Sequence, residues 1–297
     1  IPTSEDAESD YQDNLKTLAT LKNYDVKDLN YNQRVTQKIA IFDTENDIKE
    51  FEKFRYHSYP FNQISGNHLG LVEFMTDTHP VRSEREAADY IDRVELFDES
   101  LSANLIWLEE QKKLGIFAPK FVFDHVIQQL HELIGYEDDE NPLMQVFTKK
   151  ISSLGIDENS KSKLISELSD VIRLDVKPGF KLILEFMEKN YANSNNNHGV
   201  WSLPNGDEFY ALRLRSYTTT DYTAEEIHQI GLDEVARIGN RMRDIFIELD
   251  YEVDKPIGEM MNDLNEDPKF LYADTPDRKD IVIRAVSYTH LTLPTKA

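Results

Sequence analysis

The nearest approach to a metal-hydrolase motif in this chain is His131-Glu132. In a helical zinc site, His-Glu-x-x-His sets two imidazoles one turn apart on one face, with the Glu as general base. Here the run reads His131-Glu132-Leu133-Ile134-Gly135, so the second imidazole is missing. The expectation is an exposed His-Glu pair near a helix end. His228 lies beside the apolar stripe of a long helix, where ligand partners would sit three or four residues away. Those positions hold Ala224, Glu225, Gly231 and Leu232. One His with one Glu is a weak signal, and a partly buried, hydrogen-bonded histidine is the expectation. His79-Pro80 reads as a turn before a helix; His57, His68, His125 and His198 have no histidine at ligand spacing. Cysteine is absent, which removes thiolate ligands, thiol nucleophiles and disulfides. No Gly-x-Ser-x-Gly elbow, phosphate loop or Gly-x-Gly-x-x-Gly turn is present. No catalytic residue and no metal ligand is assigned.

One segment has a composition suited to binding. Gly206 to Thr220 carries two Tyr, two Arg and three Thr ahead of a capped helix. Tyrosine offers an apolar ring with a hydroxyl tip, and arginine a planar fork for carboxylates. Tyr210, Arg215, Tyr217 and Thr219 are the candidate substrate-binding residues. The plainer alternative is a helix with a polar face and a Thr-rich turn.

The elements that would hold these residues are helical. Thr223 and Glu226 form a capping-box pattern, followed by Ile227, Val235, Ile238, Met242, Ile245 and Leu249, which predicts an amphipathic helix buried on one stripe. Asp233 and Arg237 are spaced to pair on its wet face. Ser83 with Glu86 opens a second run, Ile91, Val94, Leu101, Leu105 and Leu108, which reads as one long helix to Leu114 closed by Gly115. Asn141-Pro142 is a cap with proline at the first helical position. Leu164, Leu168, Val171 and Ile172 form a face ended near Pro178-Gly179, and Phe180, Ile183, Phe186 and Met187 form the next. Strand signals are few, so the fold class is mainly α: a multi-helix arrangement.

Composition bounds the rest. The 297 residues are 40% hydrophobic, enough for a sizeable core. The net charge of -22 disfavours nucleic acid and anionic membrane surfaces. No apolar run is long enough to span a bilayer. Residues 1–20 read as a flexible N-terminal segment and 21–285 as the helical domain. From Val286 to Ala297 the chain carries no acid, and its Thr and Leu alternate with a strand period. That tail resembles translated sequencing-adapter read-through and reads as non-native.

Several blocks carry a family resemblance. They are Tyr59-Pro60-Phe61-Asn62-Gln63, Tyr90-Ile91-Asp92-Arg93-Val94, Gly115-Ile116-Phe117-Ala118-Pro119, Glu140-Asn141-Pro142-Leu143, Trp201 to Gly206, and Tyr217 through the Glu225-Glu226-Ile227-His228 helix to Ile238. Together with Asp267-Pro268-Lys269-Phe270 they resemble the bacterial family known as domain of unknown function 885. That family is similar to gluzincin-type zinc peptidases, with a mostly helical fold and a His-Glu motif well C-terminal to the Glu-Ile-His-x-x-Gly helix. The resemblance implies that this chain is the N-terminal, substrate-channel portion of a zinc-peptidase-like fold. The parent would use zinc to activate water against a peptide substrate, with no zinc expected in this chain alone. It also implies an extracytoplasmic place, periplasmic or lipid-anchored, for the parent. The alternative is a non-catalytic helical scaffold or peptide-binding module.

Overall fold

Apolar residues spaced three and four apart become helices, and the computed structural model describes residues 4–292 as helices joined by turns, with no strand among them. The chain divides into two compact units, 1–221 and 222–297. In the first, α1 (Ser4–Asn23) packs on α2 (Tyr31–Phe54), and the short α3 (Asn67–Glu73) follows. Tyr11 stacks on Phe51 at 4.5 Å, and its hydroxyl donates to Glu52. The opening segment, read from sequence as flexible, is therefore helical from Ser4 and laid against α2.

The core of the first unit lies among α4 (Glu84–Glu95), α5 (Phe97–Lys113), α6 (Lys120–Gly135), α7 (Pro142–Ser152), α8 (Glu158–Val171) and α9 (Lys177–Asn190). Tyr90, Leu101, Val126, Leu130, Phe147, Leu168, Ile172 and Ile183 are fully enclosed there. Burial pushes the Tyr90 phenol well above its usual range, and its hydroxyl donates to the Leu143 carbonyl at 3.2 Å.

Two boundaries differ from the sequence reading. The single helix expected from Ser83 to Leu114 is two, broken at Leu96, where ψ opens to 0° and the side chain is exposed. Asp98 and Glu99 then sit in the first turn of α5, where acidic side chains favour a helix start. The stop expected at Pro178-Gly179 is also absent. A π-helical turn over Ile172–Val176 takes the chain from α8 straight into α9, with Pro178 at the second position of α9 directly after the π turn. Gly115 does close α5, at φ 70°.

The second unit holds α11 (Ala224–Glu248), α12 (Ile257–Glu266) and α13 (Arg278–Thr292). The predicted capping box forms in both directions: Glu226 N–H donates to Thr223 Oγ1 at 3.2 Å, and Thr223 N–H to Glu226 Oε2 at 2.8 Å. The buried stripe does not follow. Only Phe246 is buried on α11, while Val235, Ile238, Ile245 and Leu249 are exposed. Arg237 pairs with Glu234 rather than Asp233, which instead accepts from Gln229. The alternating tail is helical through Thr292, because α13 runs on across Val286; residues 293–297 lie outside the described residues.

Candidate functional site

All four candidate binding residues sit on or at the end of α10 (Gly206–Thr218). Asn205 enters it in the left-handed region at φ 54°, and Gly206 lies so close to the preceding turn that a Cβ would come 2.1 Å from the Val200 carbonyl oxygen. The helix ends at Thr219, again left-handed at φ 53°, whose N–H donates to the Arg215 carbonyl at 2.9 Å.

Polar side chains clamp α10 to α2. Arg213 Nη1 donates to both Glu50 carboxylate oxygens, at 3.0 and 3.2 Å, and Lys53 pairs with Glu208. Arg215 donates to Asn46 through Nη1 and to Asp221 through Nε at 3.1 Å, with its guanidinium 4.2 Å from the Phe42 ring centre. Phe209 packs against both Phe54 and His57, at 5.3 and 5.0 Å. His57 Nε2 lies 2.7 Å from the Pro204 carbonyl. A carbonyl only accepts, so Nε2 carries the proton.

The four candidates therefore have different surroundings. The Arg215 guanidinium is turned inward and occupied, and Thr219 Oγ1 donates to the Thr218 carbonyl at 2.7 Å. Tyr210 and Tyr217 keep exposed rings two helical turns apart on one face. Between them, Arg213 donates to the Tyr217 hydroxyl at 3.1 Å with its guanidinium 5.0 Å from that ring. Sequence reasoning passed over Arg213, although its spacing of three from Tyr210 and four from Tyr217 is a same-face signal.

The histidines fall elsewhere. His131 is exposed as expected, but its partner is Glu188 of α9 at 3.2 Å, while Glu132 accepts from Gln128. His228, expected to be partly buried, is exposed. His68 and His79, which spacing did not single out, are the deeply buried ones. His68 Nε2 donates to Gln129 Oε1 at 2.9 Å. Among the described residues neither nitrogen of His79 has a well-formed hydrogen bond, and the ring lies edge-on to Tyr90 at 5.3 Å. Burial pulls both histidines below the usual imidazole value. Among the described residues no three His, Asp or Glu side chains converge as a metal site would require, so a zinc ion does not fit the residues present.

A family model described as a bacterial protein of unknown function, DUF885, matches residues 2–293. The chain belongs to the DUF885 family. No curated protein matches it. In fold, this DUF885 chain is similar to the crystal structure of a protein from Colwellia psychrerythraea described as a candidate lipoprotein, with a TM-score of 0.78 and 22% identity. The alignment covers 97% of this chain and 51% of that one, so the DUF885 chain spans about half the length of the solved structure it matches. Among the described residues no helix is long and apolar enough to cross a membrane.

Proposed function

We propose that this chain forms a wall of the substrate channel of a zinc-dependent peptidase, and that the parent protein's metal ligands lie outside the residues described here. The reading rests on the resemblance of the family to gluzincin-type peptidases. Its support in this chain is the pair of exposed rings, Tyr210 and Tyr217, on a helix held in place by Glu50–Arg213 and Asn46–Arg215. A rigid platform of exposed tyrosines binds extended peptide at low entropic cost, because each ring has few torsions to fix. Tyr210 and Tyr217 are the peptide contacts. Arg215 and Thr219 fix the helix and the turn that present them. The candidate-lipoprotein description of the matched structure supports an extracytoplasmic place, periplasmic or lipid-anchored, for the parent.

Fluorescence anisotropy of short fluorescein-labelled peptides of mixed sequence tests the contact role. Saturable binding is expected, and the Tyr210→Ala, Tyr217→Ala double variant should weaken it by about tenfold, which corresponds to about 1.4 kcal/mol. Unchanged affinity at unchanged helical content would remove the tyrosines from the site. The second reading, a non-catalytic helical scaffold or peptide-binding module, rests on the absent second imidazole after His131. Peptide hydrolysis by the full parent protein separates the two: activity lost to a chelator and restored by zinc supports the peptidase, and no hydrolysis supports the scaffold.

A further inference from the structure

Away from α10, a run of aromatic rings crosses the end of α2 and continues onto α5. Tyr11 stacks on Phe51; the Arg55 guanidinium lies 5.0 Å from the Phe51 ring and 4.8 Å from that of Tyr56; Tyr56 meets Trp107 edge-on at 4.7 Å. Two adjoining clefts open on this run. One, of about 240 Å³, is lined by Arg55, Tyr56, Asn104, Ile106, Trp107 and Glu110. The other, of about 410 Å³, shares Arg55 and Tyr56 and extends to Phe51, Glu52 and His57.

The donors of the first cleft are not matched by acceptors. Arg55 has rings beside it but, among the described residues, no carboxylate and no hydrogen-bond acceptor. Stacking engages the face of a guanidinium and leaves its in-plane N–H groups available. Trp107 Nε1 is buried and likewise has no acceptor among the described residues. The Trp107 ring lines the cleft while its nitrogen is closed off from solvent, so the ring and not the N–H faces a ligand. The nearby charges are already engaged: Glu52 accepts from Tyr11, Glu110 pairs with Lys113, and Lys53 pairs with Glu208.

We propose that the cleft between the end of α2 and the middle of α5 is a binding site for a monocarboxylate joined to an aromatic ring, held by Arg55 with its ring against Tyr56 and Trp107. Arginine matches the planar carboxylate. The same chemistry is offered by a free aromatic acid and by a peptide chain ending in an aromatic residue. The site does not depend on the peptidase reading.

The chain has two tryptophans, which makes the test direct. In the full-length, nitrogen-15-labelled chain, the Trp107 indole N–H signal reports on the site, and Trp201, 70% exposed, serves as internal reference. N-acetylphenylalanine should shift the Trp107 signal saturably and leave that of Trp201 in place. N-acetylphenylalaninamide, which lacks the carboxylate, should not. Arg55→Gln, at an exposed helix end, should weaken the acid at least tenfold with the rest of the spectrum unchanged. A tripeptide ending in free phenylalanine sorts the source: binding much tighter than the single amino acid assigns a peptide terminus, and equal binding assigns a small acid. No saturable movement at Trp107 with either probe, equal response to acid and amide, or unchanged affinity in Arg55→Gln would each overturn the proposal.

Discussion

His79 is 2% exposed and, among the described residues, neither ring nitrogen has a well-formed hydrogen bond, so burial disfavours its charged form. Desolvation is the main cause, and the cations Arg93 and Lys150 add to it, while the Pro80 backbone and, less, Asp89 act the other way. Lys150 is itself fixed beside the ring, donating to the carbonyls of Met75, Thr76 and His79. His68 is lowered for the same leading reason, against its bond to Gln129. The unfolded chain gains a proton at each site as pH falls through about 6.5, whereas the folded chain does so only lower, so the unfolded state binds more protons in that window. Stability from these sites is complete above that pH and is lost below it. Urea midpoints measured from about pH 7.5 down to about pH 5 should fall in the native chain and fall less steeply in His79→Phe. Parallel slopes in the two proteins would show that His79 takes up its proton without cost.

At the scale of elements, close approach decides what spacing could not. Gly179 in α9 faces α5, where an added Cβ would lie 2.9 Å from Leu101 Cδ1 and 3.2 Å from the Asp98 Cα. The backbone atom cannot yield without moving α5, so Gly179→Ala should destabilise by about 1–3 kcal/mol despite alanine's better helix propensity. Gly231, with open space around it in α11, is the control, and its alanine variant should be neutral to stabilising in the same chemical denaturation. Equal behaviour of the two variants would refute tight α5–α9 packing. The contrast also shows what was legible. Local signals carried through: the Thr223–Glu226 box, the Asn141-Pro142 start and the Gly115 stop each involve groups within a few residues. The continuation through Pro178 was not legible, because the neighbouring Gly179 packs against Asp98 and Leu101, far back along the chain. The same holds at the candidate site, where the spacing of the tyrosines could be read, but the acceptors of Arg213 and Arg215, Glu50 and Asn46, lie more than 160 positions away.

At the scale of the whole molecule, charge and exposed apolar surface oppose one another. The net charge of -22 makes copies of the chain repel, while α11 presents Val235, Ile238 and Ile245 on one exposed stripe that its own unit does not cover. Repulsion between like-charged molecules acts over the Debye length, about 30 Å at 0.01 M salt and about 3 Å at 1 M, whereas burial of apolar area is not screened at all. The balance should therefore turn with salt. Sedimentation velocity is expected to give a monomer at about 0.01 M salt and larger species at about 1 M. Val235→Asp with Ile238→Asp should hold the chain monomeric in both. If the unmodified chain sediments as a monomer throughout, the stripe is not adhesive. If association grows but ignores the two aspartates, the adhesive surface lies elsewhere. Association suppressed by the aspartates would show that α11 carries apolar area available to another surface, such as that of a second copy.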